Sequence, residues 1–406
     1  MPATNDLESA AQPVGQRRMG ARPVDEAHRA VTPLELFFDL TFVAAVAQLS
    51  GNLAHATIDG HSAAAIGPFL MVFFAIWWAW MSFTWFASAY DCDDVTYRLA
   101  AFVQMGGVLV LAAGIGPAFE SGDYAVVTLG YLIMRLALLS MWIRAWVQHP
   151  SGRATSLRYA GGLTALEVLW VARLPVGNHW TTVTFLVLVF LELTLPAWAE
   201  RPAPTSWHPH HIAERYALFA IILLGEGVFA ASSAVSTIVE DAGALSLTAV
   251  AMAALSIVAA VWWRYFVTPA GAQLEARRGW SFVWGYGHYF VFAALGALAA
   301  GLEVVVAASV GRAQHLAVTS AVAAVAVPVA GFLVVLDLIT VPAEAERPRV
   351  SITTSAVVAG LAAVVLVADH TGLLTALALV AAITVGAAAS DEVAASRHRN
   401  SRKEVA

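Results

Sequence analysis

Residues 31–55 read VTPLELFFDLTFVAAVAQLSGNLAH and form an apolar stretch long enough to cross a lipid bilayer as a helix. Two carboxylates near its start, Glu35 and Asp39, are four residues apart, which is about one helical turn. Both side chains therefore project from the same face of the helix. A charge in the hydrocarbon costs roughly 2.5–3.5 kcal/mol even on the lenient insertion scale, so this face is expected to point into the protein.

The composition of the whole chain is typical of an integral membrane protein. Of its 406 residues, 59% are hydrophobic and only 12% are charged, whereas about a quarter are charged in soluble domains. The basic residues form no stripe with interleaved aromatic residues, so we expect no nucleic acid partner. The single cysteine, Cys92, excludes an internal disulfide and a cysteine-paired metal site. The expected partner is the lipid bilayer.

Hydropathy, interrupted by Pro, Gly and charged residues, predicts an all-α polytopic bundle of transmembrane helices with about twelve spans of roughly 20 residues. The spans lie near residues 33–55, 62–88, 95–116, 123–147, 155–174, 179–199, 211–235, 244–267, 280–308, 314–341, 350–369 and 372–390. Of the 22 Lys and Arg residues, 18 lie in the termini and the even-numbered connections, and two lie in the odd-numbered ones. Because cytoplasmic segments are enriched in Lys and Arg, both termini are predicted to be cytoplasmic.

Four segments are expected along the chain. Residues 1–30 are polar and lack the apolar core of a cleavable signal, which predicts a disordered cytoplasmic tail. Residues 31–200 and 201–391 would be two membrane halves of about six helices each. Residues 392–406 would be a basic cytoplasmic tail.

The two halves show a weak internal similarity at an offset of roughly 180 residues, which aligns Trp77–Trp78 with Trp262–Trp263. Halves with an even number of spans would be parallel repeats, and such repeats place a shared site near the bilayer midplane in secondary transporters. Tryptophan pairs at membrane interfaces are the alternative explanation.

The seventh span carries a second group of ionisable residues in HPHHIAERYALFAIILLGEGV, residues 208–228. His211, Glu214 and Arg215 share its first two turns. Glu226 follows Glu214 by about 18 Å along the helix axis and lies between two glycines. A carboxylate at that depth must be protonated, paired or in contact with water.

Arg135 is the only cation that the spans place firmly at membrane depth, in the middle of the fourth span. A buried guanidinium requires an acidic partner, and we predict Glu226 or Glu192 for this role. The alternative for this pair is a structural role in which it only holds helices together.

Signatures of other chemistry are missing. The chain has no phosphate-binding loop, no HExxH motif and no nucleophile elbow, so no enzymatic activity is expected. His211 with Glu214 would supply two metal ligands where zinc requires three or four, so neither a metal centre nor a cofactor is expected. His208, His210 and His211 are interpreted as a solvated loop before a helix, and the acidic turn of residues 91–94 as solvated as well.

Two segments resemble the hallmark segments of the bacterial low temperature requirement protein A family of multi-pass membrane proteins. They are PLELFFDLTFVAAVAQLS, residues 33–50, and HIAERYALFAIILLGEGV, residues 211–228, and the resemblance covers most of the chain through about residue 390. The matching positions are Glu35, Phe37, Phe38, Asp39, His211, Glu214, Arg215, Gly225 and Glu226. The chain departs from the family pattern at Tyr216 and Gly227, where His and Ser are expected. The resemblance implies a bacterial cytoplasmic membrane protein, and the family name, which refers to growth in the cold, defines no biochemical activity.

Two functions are compatible with these residues. In the first, the protein is a proton- or cation-linked transporter: the acids of the first and seventh spans face a shared polar cavity, Glu226 exchanges a proton or cation, and Arg135 sets its pKa. The candidate binding residues are Glu35, Asp39, Arg135, His211, Glu214, Arg215 and Glu226. In the second, the protein is a non-transporting component for cold or envelope stress tolerance, and its buried charges are structural. The partner would be a proton, a cation or a small solute, and a homo-oligomer is left open.

Overall fold

The computed structural model of the protein describes residues 17–23, 26, 29–176, 178–240, 244–340 and 350–405. Within these residues every regular element is helical, and twelve helices have 19 residues or more. The helices are α1 (Pro33–Ile58), α2 (Ser62–Tyr90), α3 (Val95–Ala113), α4 (Ile115–Glu120), α5 (Ala125–Gln148), α6 (Arg153–Arg173), α7 (Asn178–Ala199), α8 (Pro209–Glu240), α9 (Ala244–Phe266), α10 (Ala270–Ala276), α11 (Ser281–Ser309), α12 (Val318–Ile339), α13 (Ile352–Thr371) and α14 (Leu373–Val405).

The long helices coincide with the twelve predicted spans, and α4 and α10 are short additions. In the described part of the chain, ten helices are long and apolar enough to cross a membrane, which confirms an all-α polytopic bundle. The two long helices outside this set, α6 and α8, carry several charged side chains. The number of spans therefore stays a prediction, as does the cytoplasmic placement of the termini.

The turn between α13 and α14 is a single residue. Gly372 separates the two helices and has a φ of 80°, a left-handed conformation that glycine adopts without steric cost. The side chain of Asp369 in the last turn of α13 accepts hydrogen bonds from Thr319 N at 3.0 Å and Thr319 Oγ1 at 2.7 Å. The predicted division between the last two spans thus lies where the sequence has its short polar turn.

The chain divides into two compact units. Unit 1 comprises the residues up to Ala45 together with Ala75–Ile212, and unit 2 comprises Val46–Phe74 together with the residues from Ala213 onward. Helices α1, α2 and α8 contribute residues to both units. The boundary at Ile212 is near the predicted one at residue 200, whereas Val46–Phe74 belongs with the later part of the chain. Whether the halves are six-helix repeats stays a prediction.

The two tryptophan pairs that suggested the internal similarity have different environments. Trp77 and Trp78 are each 1% exposed and belong to the core of unit 1, whereas Trp262 and Trp263 are 44% and 47% exposed in unit 2. The first pair is therefore core packing, and the second pair has the exposure expected of side chains that face lipid or an interface.

The part of the N-terminal segment that the structure describes contacts unit 1. Arg22 N donates to Ala89 O at 2.9 Å, and Arg29 Nη2 donates to Ala87 O, also at 2.9 Å. Met19 is fully buried. Of the tail predicted over residues 1–30, residues 1–16, 24–25 and 27–28 lie outside the described residues, as do Arg347 and Arg349 of the topology argument. At the other terminus, the predicted tail continues α14 as a helix to Val405.

Candidate functional site

A buried carboxylate–imidazole pair connects the beginnings of α1 and α8 within unit 1. His211 Nε2 lies 3.1 Å from Glu35 Oε1 and 3.3 Å from Glu35 Oε2, and both side chains are fully buried. Each helix starts with a proline, Pro33 and Pro209, a residue favoured at the first helical position. The two helix starts thus bring together residues that are 176 positions apart in the chain.

Glu35 also closes the N-terminus of α1. Thr32 N and Thr32 Oγ1 donate to Glu35 Oε2 at 2.9 Å and 3.1 Å, and Glu35 N donates to Thr32 Oγ1 at 3.3 Å. This reciprocal arrangement is a capping box, which satisfies backbone N–H groups that a helix start leaves without intrahelical partners. Its signature, Thr followed three residues later by Glu, was present in the sequence and was missed there.

Asp39 lies one turn further along the same face of α1. Trp80 Nε1 donates to Asp39 Oδ1 at 2.7 Å, and Asp39 is 1% exposed. Leu36, Phe37 and Leu40 on α1 are 45%, 52% and 57% exposed. The expectation that the acidic face of α1 points into the protein is therefore confirmed, and apolar side chains occupy its exposed surface.

The acidic turn after α2 is buried at Asp91 and Asp94 but not at Asp93, so the interpretation of residues 91–94 as solvated is wrong for those two acids. Asp91 and Asp94 are 7% and 5% exposed. Asp94 Oδ1 accepts from Tyr97 N at 2.9 Å as the N-cap of α3 and from Arg144 Nη1 at 2.9 Å. Burial raises the pKa of Asp94, but the hydrogen bonds from Arg144 and from backbone N–H groups outweigh it and hold the pKa at about 2. The turn therefore has a structural role at Asp94.

The pKa of Asp91 is shifted in the opposite direction to that of Asp94, and the charge of Glu35 contributes to the shift. Burial raises the pKa of the Asp91 carboxyl to about 6, and the charge of Glu35 acts in the same direction, while Arg29 opposes both.

The three histidines that were interpreted as a solvated loop differ in their burial: His208 and His211 are buried, whereas His210 is exposed in the first turn of α8. Burial lowers the pKa of His208, whose Nδ1 accepts from His211 N at 3.3 Å. The interpretation is therefore wrong for His208 and His211.

We expect Asp91→Asn to be more stable than the wild type at pH 7, by about 2–3 kcal/mol. The folded protein binds the Asp91 proton more tightly than the unfolded chain, so wild-type stability falls as the pH rises from about 4 to about 6. Thermal unfolding in detergent at pH 4 and pH 7 would measure this difference. The matched control is Asp93→Asn, because 41% of the Asp93 side chain is exposed to solvent. Identical pH profiles for Asp91→Asn and the wild type would contradict the expectation.

Arg135 occupies a second buried cluster of unit 1. Its Nη2 donates to Glu192 Oε2 at 2.6 Å, its Nε donates to Glu167 Oε1 at 3.1 Å, and its Nη1 donates to Ser82 Oγ at 2.9 Å. Three further donors, Trp78 Nε1, Tyr131 Oη and Trp170 Nε1, reach Glu192 at 2.7, 2.8 and 3.1 Å. Glu192 therefore accepts four hydrogen bonds, one of them from Arg135. A carboxylate with this many donors is typical of a structural ion pair.

Glu192, one of the two predicted partners of Arg135, is confirmed, and Glu167 is a second partner that the sequence analysis did not name. The physical reason is that α5, α6 and α7 pack together in unit 1 and supply both acids from neighbouring helices. A link between Arg135 and the pKa of Glu226 stays a prediction. Glu226 belongs to unit 2, where it is half-buried and interacts electrostatically with Glu303 on α11.

The remaining predicted residues of α8 belong to unit 2. Arg215 is fully buried, whereas Glu214 is exposed and lines a cavity of that unit. The seven candidate residues are therefore divided between the units. Unit 1 holds Glu35, Asp39, Arg135 and His211, and unit 2 holds Glu214, Arg215 and Glu226. The structure brings Glu35 and His211 into direct contact, and that contact is the centre of the candidate site.

Comparison with known proteins identifies one family for this chain. The family model described as bacterial low temperature requirement A protein matches residues 30–387. A protein of Rhizobium meliloti strain 1021, described as uncharacterized protein RA0937, is 29% identical over 241 residues, which is 57% of this chain and 57% of that protein. The chain thus matches little more than half the length of this relative. No solved structure matches the chain.

Proposed function

The chain belongs to the bacterial low temperature requirement A protein family, and we propose that this member is a proton-linked transporter whose proton site is the Glu35–His211 pair. The observation that carries the proposal is a fully buried imidazole 3.1 Å from a fully buried carboxylate, on two different helices. Imidazole is the side chain that ordinarily changes charge near neutral pH. The pair can hold one proton as an ion pair or as a neutral hydrogen-bonded pair.

Proton binding at this pair would alter the attraction between α1 and α8. A buried ion pair is stabilised only while both charges are present and well placed, so a change of one proton changes the energy of bringing the two helix starts together. Protonation of a buried histidine is a known way to shift a protein between two arrangements. The site therefore offers a coupling between proton uptake and helix movement, which a secondary transporter requires.

The surrounding charges favour a proton at this site. Glu35, Asp39 and Asp91 are buried carboxylates near the helix starts of unit 1, and Arg29 is a buried cation that interacts with Glu35. A carboxylate beside an imidazole stabilises the protonated, charged form of the imidazole, so Glu35 favours a proton on His211. A cation such as Na⁺ could use the same carboxylates, but the histidine is a better receptor for a proton.

Flux measurements in proteoliposomes test the proposal. The full chain would be reconstituted with a pH-sensitive dye inside, the membrane potential would be clamped, and a pH gradient would be imposed with the small-solute fraction of a bacterial extract outside. We expect the wild type to dissipate the gradient faster than empty liposomes. Glu35→Gln and His211→Gln are expected to reduce the rate to that of empty liposomes, because neither variant retains the carboxylate–imidazole pair.

Two control variants locate the effect. Glu120→Gln changes an exposed carboxylate at the end of α4 and should retain wild-type flux. Glu226→Gln changes the carboxylate that the sequence analysis predicted to exchange a proton or cation. Loss of flux in Glu226→Gln with wild-type flux in Glu35→Gln would overturn the assignment of the proton site and move it to unit 2. A wild-type rate equal to that of empty liposomes would reject transport.

A non-transporting membrane component for cold or envelope stress is the second candidate, and two observations favour it. Glu192 is saturated by four donors, and Glu35 caps α1, so both groups have structural roles. On this reading Glu35→Gln would lower the thermal stability of the purified protein, and no flux would be seen for the wild type or the variant.

A further inference from the structure

We infer that the segment before α1 is a removable strap that keeps water away from the Glu35–His211 pair in unit 1. The strap comprises the described residues 17–23, 26 and 29–32. Both members of the pair are fully buried, so a proton can exchange with them only when the surrounding structure opens. The inference rests on the proposed function in taking this pair as the proton site.

The first part of the strap is bound to the acidic turn after α2 and to the end of α5. Arg17 N donates to Asp94 Oδ2 at 3.0 Å, and Arg144 Nη2 donates to Arg17 O at 2.6 Å. Met19 N donates to Gln148 Oε1 at 2.8 Å, and the Met19 side chain is fully buried. This part of the strap is therefore held by polar contacts and by one buried apolar side chain.

The rest of the strap lies beside the pair. Arg22 N and Arg29 Nη2 donate to backbone carbonyls at the end of α2, each at 2.9 Å. The charges of both arginines interact with Glu35 at the start of α1. His208, the residue before α8, interacts with the backbone and the charge of Glu26 in the strap. The strap therefore interacts with the starts of both helices that carry the pair.

The strap is held more weakly than the helices. Among its described side chains only Met19 and Arg29 are buried. Arg29 Nε and Asp91 Oδ2 are buried and have no hydrogen-bond partner in the described residues, and Arg22 Nη1 is 3.7 Å from that oxygen, beyond hydrogen-bond distance. Release of the strap would let water satisfy both groups. Segments with few buried apolar contacts are the first to open locally, so the strap can detach while the helices stay folded.

Release of the strap would open the side of unit 1 on which α1 and α8 begin. Glu35 and His211 both lie in the first turn of their helices. Water that enters beneath the strap therefore has about one helical turn, roughly 5 Å, to cross before it reaches the pair. The distribution of Lys and Arg predicts that this side is cytoplasmic. The strap would thus decide when the pair exchanges protons with that side.

Two labelling measurements on the purified full chain in detergent test the inference. Cys92, the single cysteine, lies in the turn that the strap contacts, so its rate of maleimide labelling reports release of the strap. Hydroxyl-radical oxidation of His211, followed by mass spectrometry, reports water access to the pair, and the exposed neighbour His210 is the internal reference. Met19→Asp places a charge at the buried apolar side chain of the strap. We expect both rates to rise by about tenfold or more, because burial of one methionine side chain shifts an opening equilibrium by that factor.

Matched variants separate release of the strap from unrelated effects. Met19→Leu keeps an apolar side chain of similar volume, and Ala21→Asp adds the same charge at an exposed position of the strap, so both should keep wild-type rates. Arg22→Gln removes the guanidinium that pairs with Glu26 and faces Asp91, and we expect both rates to rise by about two- to threefold. Because the strap lies outside the helices, all of these variants are expected to fold, and their thermal midpoints would verify this.

Two results would overturn the inference. Unchanged Cys92 labelling in both Met19→Asp and Arg22→Gln would show that the segment is not a removable cover of the turn. Faster Cys92 labelling with unchanged His211 oxidation would show that the segment detaches without admitting water to the pair. Neither measurement depends on flux, so a wild type that fails to transport would reject the proposed function and leave the result for the strap unaffected.

Discussion

Arg135→Met is expected to destabilise the protein by about 3–5 kcal/mol, which is the usual effect of removing one partner of a buried ion pair. Arg135 is 2% exposed, and its removal leaves Glu192 and Glu167, at 0% and 4% exposure, buried without their cation. Methionine preserves much of the side-chain volume, so the loss would come from the charges and not from a cavity. Denaturant and thermal unfolding in detergent would measure it.

A matched control is available at the surface. Arg98 pairs with Asp93 at 2.8 Å, with side-chain exposures of 53% and 41%, and Arg98→Met is expected to leave stability unchanged within error. Combining Arg135→Met with Glu167→Gln and Glu192→Gln should recover part of the loss, because the uncompensated charges are gone. If Arg135→Met alone were as stable as the wild type, the two acids would have to be neutral or hydrated in the folded protein.

Gly301→Ala is expected to destabilise unit 2 by about 1–3 kcal/mol or more, the range for overpacking a close-packed interior. A Cβ at this position on α11 would overlap the backbone carbonyl of Ala324 and approach Val325 N on α12. Backbone atoms cannot move aside as the end of a flexible side chain can, so the two helices would have to separate. Close approach at small residues is a common basis of helix packing in membranes.

The control for Gly301→Ala lies on the same helix. A Cβ at Gly296 would meet side-chain atoms no closer than 3.6 Å, which is ordinary van der Waals contact. Gly296→Ala should therefore retain wild-type stability, and comparing thermal midpoints of the two variants removes the effect of helix propensity. Equal midpoints for both variants would show that α11 and α12 can separate at Gly301 without cost.

The helical architecture of this chain could be predicted from local sequence. Apolar stretches bounded by Pro, Gly and charge coincide with the long helices, and the spacing of Glu35 and Asp39 placed both acids on the buried face of α1. The two segments around residues 33–50 and 211–228 also led to the family whose model matches residues 30–387. These inferences succeed because helix formation, hydropathy and the facing of side chains depend on residues within a few turns of one another.

The partners of the buried charges depended on tertiary packing. Local sequence required that Arg135 meet an acid, but Glu226 and Glu192 were equivalent candidates until helix packing placed Glu192 and Glu167 beside it. His211 and Glu35, 176 positions apart, are in contact because two helix starts meet, and no periodicity encodes that meeting. Burial of a charge is a property of one helix and its surroundings, whereas the identity of its partner is set by how the helices pack, which a single sequence does not specify.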